Sequence, residues 1–538
     1  MTACSTTCKS RPLRAPSEDG GVLIEPDPAR CGELLAHNRS LQARHDECEL
    51  GGRSLSKLRA EARAALLADA RAYTAAYRDV PPPASGDTLL LAGHQPELFH
   101  PGVWAKNFVL SGLAQRFGGT AVNLVIDNDT ARLPGVRVPS GTADRPMVQF
   151  VPLDGPAPEL PYEQRGIVDG QVFRAFGART CRHLAALVPD ALVCHFWSTA
   201  VQRGEATGNL GAAVAQARHA WEGRWGLHTL ELPWSRVCDS TPFSWFAAHL
   251  LAHLPRFWDV HNAALDEYRC LHRLRSATHP VPALAAEGPW LEAPFWVWRR
   301  DDPQRRRLFA RQADDHLHLT DRAAWQVRIP CAPEAPLDRT VDALAALAVA
   351  GVKIRSRALT TTLYARLVLG DLFVHGIGGA KYDELTDVLW RRFFGLPPLG
   401  FLTVSATLRL PVAVPRVSPD QLRSVDEQLR RLTFQPERFL DRAAIDPRIA
   451  DWIAQKQRWI EAPPDPQMGR ARFRALRAIN EQLQGAVAAR RAALQQHRDM
   501  LAAQLRAWQI LSWREYAFVL HPAERLRRFL LALRDAAQ

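Results

Sequence analysis

The segment from Thr88 to Asp129 constrains the fold more than any other. It reads as a short apolar strand, "TLLLAG", a helix, "PGVWAKNFVLSGLAQRFGG", and a second strand, "AVNLVIDND". Val103, Phe108, Leu110 and Leu113 have helical spacing, and the second strand is rich in β-branched residues. Two strands joined by one helix of this size run parallel and are linked by a right-handed crossover. A parallel sheet carries its ligands outside the carboxyl ends of its strands. The polar loops at those ends are therefore the first places to look for chemistry.

Similar alternation continues to about residue 410. "ALVCHFWSTA" (191–200), "LHTLELPW" (227–234), "DLFVHG" and "GFLTVSATLRL" read as further strands, with apolar helices between them. "FWVWRR" and "RRLFAR" read as an antiparallel pair, which places a smaller mixed insertion near 280–330. Residues 1–53 read as irregular, followed by a helix over 54–80 and the stiff "PPPASGD" linker. From about 416 the strand signals stop. Ser418 caps a helix with Pro419 at its first position, and Leu422, Val425, Leu429 and Leu432 step by three and four. Val487, Leu494, Leu501 and Trp508 repeat every seven residues along a helix predicted over 468–513. The expectation is an α/β protein with three parts: 1–87 as an N-terminal extension and helix, 88–415 as the sheet core, and 416–538 as an antiparallel helical arm of coiled-coil type.

The formal net charge is +12, from 68 Lys+Arg against 56 Asp+Glu. Only six of these bases are lysine (Lys9, Lys57, Lys106, Lys353, Lys381 and Lys456), and the arginines are spread along the whole chain. That distribution reads as compositional bias, so a nucleic-acid partner is disfavoured. Nine scattered cysteines, an odd number with no CxxC pair and no apolar leader in the first twenty residues, point to unpaired thiols and a reducing cytoplasmic setting. Cys181 with His183, and Cys194 with His195, lack a second ligand pair at zinc spacing, so no metal site is expected. No apolar run reaches the roughly 18–20 residues that cross a bilayer.

Three loops follow predicted strands. "GHQPELFHPG" offers Gly93, His94 and Gln95, with His100 as a helix cap and Lys106 and Asn107 one turn into the helix. His94 and Gln95 can reach an anionic group at a helix N-terminus, and a histidine moves protons near neutral pH. "DNDT" offers Asp127, Asn128 and Asp129, which can act as general base, hold Mg²⁺ or orient a ribose, or simply form a turn. "HGIGGAKYDE" offers His375, the backbone of Gly376, Gly378 and Gly379, and then Lys381, Tyr382 and Asp383 at a helix start. Its glycines fit neither GxGxxG nor a Walker A loop.

These segments, in this order, resemble the bacillithiol-biosynthesis cysteine-adding enzyme family of cysteine ligases. The family's "GQQ…L…GP…Y…K" segment is echoed by "GHQPELFHPGVWAKN", and its "EDHDF"-like strand end by "DNDT". Its "ALLRPLYQD…LP…YVGGPGEIAY" is echoed by "ALTTTLYARLVLGDLFVHGIGGAKYDE", and its closing "LFP…LQER" by "VLHPAERLRRFLLAL". The resemblance implies a Rossmann-like core, inserted connecting regions and a coiled-coil arm used in homodimerisation. It implies addition of cysteine to a glucosaminyl-malate, that is, an amino-sugar acceptor, with formation of an amide. Because the carboxylate needs activation, ATP with Mg²⁺ is the candidate cofactor. In that reading His94 and Gln95 polarise the acceptor, Lys106 and Lys381 neutralise anionic charge, and Asp127 or Asp129 takes the proton. The chain departs from the family where Asn128 replaces a histidine, Ala380 replaces a glutamate, and Thr361-Thr362 replaces Arg-Pro. The alternative is a non-catalytic binding protein that uses its basic surface and helical arm.

Overall fold

The computed structural model describes residues 13–131, 134–441, 446–463 and 465–538. Cys4, Cys8 and the polar start of the chain lie outside them. The chain divides into two compact units. One comprises 1–138, 150–410 and 514–538, and the other 139–149 and 411–513.

The first unit is built on a six-stranded sheet. Its strands are β1 (Val22–Glu25), β2 (Leu89–His94), β3 (Thr120–Val125), β4 (Thr229–Pro233), β5 (Leu372–His375) and β6 (Leu402–Ala406). Their order is β1-β6-β5-β2-β3-β4. All neighbours run parallel except β1, which pairs antiparallel with β6 from Val22↔Ala406 to Glu25↔Thr403. The sheet is therefore mixed but mostly parallel. Helix α1 (Pro101–Arg116) links β2 to β3, and helix α2 (Ile377–Leu389) links β5 to β6. The chain steps from β2 to β3 and β4 on one side, and from β5 to β6 on the other. The β2/β5 pair is thus the point where strand order reverses, the usual place for a ligand crevice in such a sheet.

Local chemistry explains why α1 starts where it does. Pro101 occupies its first position, and His100 caps it, the ring Nδ1 accepting the Gly102 N–H at 3.1 Å. Any side chain at Gly102 would run into the Ala406 carbonyl, so glycine lets α1 lie close against β6. Trp104, Phe108, Val109, Leu110 and Leu113 are all fully buried.

Three readings of the sequence need correction. Residues 13–53 are not irregular: they supply β1 and a helix over Cys31–His45. The β1 partner lies some 380 residues away in the sequence, so no local pattern announces it. "ALVCHFWSTA" is not a strand but enters the helix Val193–Thr207. Its apolar residues pack on helical neighbours, and periodicity cannot separate a short buried strand from a buried helix. Cys181 and Cys194 are not free thiols: they form a disulfide between the helices Gly170–Leu184 and Val193–Thr207, with Cα atoms 6.0 Å apart.

The insertion is larger than expected. An antiparallel sheet runs from Ala286–Glu287 through Gln326–Pro330 and gains Val352–Ser356 as a partner of Trp290–Arg299. The expected pairing of Trp290–Arg299 with Arg306–Ala313 is present.

In the second unit, Ser418 and Gln421 form a reciprocal capping box for the helix Pro419–Phe434. The helix expected over 468–513 is two helices, Gly469–Leu483 and Ala488–Leu511, separated by a 3-10 turn at Gly485–Val487. Arg498 pairs with Asp426 at 2.7 Å and Arg491 donates to Thr433 at 3.0 Å. One residue number falls as the other rises, so Pro419–Phe434 and Ala488–Leu511 are antiparallel. Val425, Leu422, Leu429, Leu494 and Leu501 fill the seam. Among the described residues, no helix is long and apolar enough to cross a membrane.

Candidate functional site

A cavity of about 750 Å³ opens at the carboxyl ends of β2, β3 and β5. Of the residues singled out from the sequence, it is lined by Gly93, His94, Gln95, Lys106, Asn128, Asp129, His375, Gly376, Gly378, Gly379, Lys381 and Tyr382. Residues from three loops distant in sequence therefore share one space. Asp127, Asn107 and Asp383 do not line it.

Each of these three is turned inward for a physical reason. Asp127 is buried and accepts hydrogen bonds from the Ser235 N–H at 2.8 Å and the Ser235 hydroxyl at 2.5 Å. Burial, and then the nearby Glu163, push its carboxyl up from the usual range. Asn107 donates to Glu222 at 2.7 Å, inside a buried network. Asp383 is fully buried. It lies 2.8 Å from Arg366 Nη1 and 2.6 Å from His375 Nε2. Burial opposes its charge, but His375 and Arg366 together hold the carboxyl well below the ordinary range.

The cavity is strongly cationic. Among the described residues, Arg14, Lys106, Arg305, Arg357, Lys381 and Arg514 line it, against the single carboxylate of Asp129. Asp129 is already engaged: Gln95 Nε2 donates to it at 3.1 Å and Arg305 Nη1 at 2.9 Å. These bonds outweigh burial and hold its carboxyl below its usual range. Arg357 is paired with Glu292. Arg305 and Arg357 each stack on Trp296 with the guanidinium carbon 4.5 Å from the ring centroid. Lys106 is different. It is 3% exposed, and its ammonium donates to the Gly93 carbonyl at 2.9 Å without a carboxylate partner among the described residues. Burial first, and Arg218 second, push its pKa down to about 7.

Helix α2 begins beside Lys106. Gly376 is its cap, and the first bond of the helix runs from the Ala380 N–H to the Gly376 carbonyl. The N–H groups of Ile377, Gly378 and Gly379 consequently have no partner within the helix. A Cβ on Gly376 would lie 3.9 Å from Lys106 Cδ, and one on Gly378 would meet nothing within 4 Å. The helix start and the lysine thus share a roomy, positively polarised corner. His94, His100 and His261 are held neutral. Burial and then Lys106 push His94 down to about 3. Burial and then Arg514 push His100 to about 4, and burial alone leads for His261, also at about 4.

Several lining residues were not foreseen. Trp296 and Arg305 come from the insertion, where the sequence showed only an alternating strand pair. Arg514 arrives from beyond the helical arm, which no spacing rule connects to the sheet. Thr360, Thr361 and Thr362 sit in "ALTTTLY", a segment already distinguished by its resemblance, and Arg357 immediately precedes it. Among the described residues no three His, Cys, Asp or Glu side chains converge as a metal site.

The sequence matches no protein-family model and no curated protein sequence.

Proposed function

We propose that this cavity is the active site of an enzyme acting on a small anionic substrate, and that the reaction is carbon–nitrogen bond formation of the cysteine-ligase type. The observation that carries this reading is the corner formed by Lys106 and the start of α2. A buried ammonium with no counter-carboxylate among the described residues, placed against free helix N–H groups, is costly unless an anion completes it. The position of the cavity at the β2/β5 reversal supports the Rossmann-like reading of the sheet.

A carboxylate or a phosphate fits this corner equally well. For ATP, Lys106, Lys381 and the backbone of Gly376, Gly378 and Gly379 would hold phosphate groups, and ATP would supply activation of the carboxylate. For Mg²⁺, Asp129 is the available carboxylate, and it is already shared by Gln95 and Arg305. Neutral His94 is suited to hydrogen-bond an acceptor. A coiled-coil homodimer would pair through the outer face of the arm, where Phe473 and Met500 are exposed, because Leu494 and Leu501 are already packed against the helix Pro419–Phe434.

The test is a thermal-shift series with L-cysteine, glucosaminyl malate and ATP–Mg²⁺, followed by mass spectrometry of any product. Binding at a hundredfold excess over Kd stabilises by about 2.7 kcal/mol, so a Tm rise of about 2 °C or more is expected with at least one ligand. His94→Ala and Lys381→Ala are expected to lose turnover with little change in Tm. No shift with any of the three would refute the ligase reading.

A further inference from the structure

Resting on the reading of the cavity as an active site, the geometry points to His375 as the residue that takes the substrate's proton, with Asp383 as the carboxylate that positions it. His375 ends β5, and its side chain is 4% exposed yet lines the cavity. Its Nε2 lies 2.6 Å from Asp383 Oδ2, and Asp383 is fully buried. Phe373 and Phe401 pack on the ring, with centroids 4.4 Å and 5.0 Å away, and keep it from swinging. The other nitrogen, Nδ1, faces the start of α2. It is left uncovered because residue 379 is glycine: a Cβ there would lie 2.7 Å from Nδ1.

The remaining cavity groups are committed elsewhere. His94 Nδ1 is 3.2 Å from the Gln95 carbonyl, His100 Nδ1 caps α1, and His261 Nδ1 is 3.3 Å from the Asn262 side chain. None of these three has a carboxylate behind its ring in the way His375 does. Asp129 is shared by Gln95 and Arg305. A histidine with a buried carboxylate 2.6 Å from one ring nitrogen, close enough for an ion pair but not aligned as a hydrogen bond in this structure, and with its second nitrogen free toward a cavity, has the parts of a general base, whose hydrogen bonds tighten when substrate binds.

The step is a proton transfer. A substrate N–H or O–H bond breaks, its hydrogen bonds to Nδ1, and the electron pair stays on the nucleophile for attack. The imidazolium later returns that proton to the leaving group or to water. Asp383 remains ionised throughout and stabilises the imidazolium. Other charges bear on the ring. Lys106 of α1 approaches through Gly376, and Lys381 lies on α2. Arg366 acts through Asp383 and is itself shared with Asp387 at 2.8 Å.

Histidine-directed acylation with diethyl pyrocarbonate, read residue by residue by mass spectrometry between pH 5 and 8, tests this on the full chain. His375 is expected to label faster than His94, with a fall in rate on the acid side that reports its protonation. Asp383→Asn is expected to move that acid limb about one pH unit lower, a rise of up to about tenfold in relative labelling on the limb. Arg366 keeps Asp387 in this variant. Gly379→Ala supplies a second reading and is expected to cut His375 labelling at least threefold by covering Nδ1. Labelling of His375 no faster than His94, or indifference of its acid limb to Asp383→Asn and of its rate to Gly379→Ala, would overturn the assignment. The labelling needs no ligand, so its failure is separate from a failure of the thermal-shift series.

Discussion

Lys106 and Asn107 are neighbours on α1, both are buried, and the molecule treats them in opposite ways. Asn107 enters a network in which every charge is met. Glu222 accepts from Trp104 Nε1 at 2.6 Å, Asn107 at 2.7 Å and Arg218 at 2.5 Å, and Arg218 also pairs with Glu231. Tyr77 then links Glu231 to His219, at 3.3 Å and 2.6 Å. Lys106 has one carbonyl and, among the described residues, no carboxylate. The first region is closed and acts as scaffold. The second is open, and its missing counter-charge is what supports the proposal that it is a site. Burial and polarity alone do not separate the two; completion of the hydrogen-bonding does.

The sharpest way to break the comparison is to open the closed network. Glu222→Leu leaves Arg218, Trp104 and Asn107 without their shared acceptor, so chemical denaturation is expected to show a loss of about 3–5 kcal/mol or failure to fold. A loss below about 1 kcal/mol would mean that the network is not the scaffold described.

Removing the open charge has a smaller effect that depends on pH. The pKa of Lys106 is lowered to about 7 in the folded chain, so between there and its ordinary value the unfolded chain binds the extra proton. Wild-type stability therefore rises with pH above about 7 through this group, and Lys106→Met does not share the rise. Going from pH 9 to pH 6, the wild type is expected to lose about 2–3 kcal/mol relative to the variant. Parallel curves would place a counter-charge beside Lys106.

Asp127 has the opposite sign. Its carboxyl is raised, so the folded chain holds the proton longer than the unfolded one, and stability through this group falls as pH climbs from the ordinary carboxylate range. Asp127→Asn is expected to remove about 1–2 kcal/mol of that fall while keeping activity, since the side chain does not reach the cavity. Loss of turnover with an unchanged Tm would return Asp127 to the site.

The smallest effect concerns adjacent glycines. Gly378→Ala meets no atom within 4 Å and is expected to stabilise α2 by about 0.5–1 kcal/mol, whereas Gly379→Ala must displace His375. Equal consequences at both positions would remove the special role of Gly379.

Sequence reading located the parallel unit and the three loops because these signals are local: apolar runs of strand and helix length, punctuated by Gly, Pro and His. It did not separate Asp127 from Asp129, two residues apart in one loop. The first turns toward Ser235, and the second faces the cavity with Arg305. Both partners come from elsewhere in the chain. The same is true of Asp383, whose position in a site loop was legible but whose role behind His375 depends on where Arg366 sits. β1 and Arg514 were missed because their meaning lies in pairings across a hundred residues or more.

The central claim, that Lys106 is left uncompensated in order to receive an anion, is tested most directly with pyridoxal 5′-phosphate, an anionic aldehyde, trapped on the protein by borohydride at pH 7.5. The account predicts that Lys106 is modified ahead of the other five lysines, and that inorganic phosphate slows its modification at least threefold. Modification confined to the other lysines, or a Lys106 rate indifferent to phosphate, would contradict it.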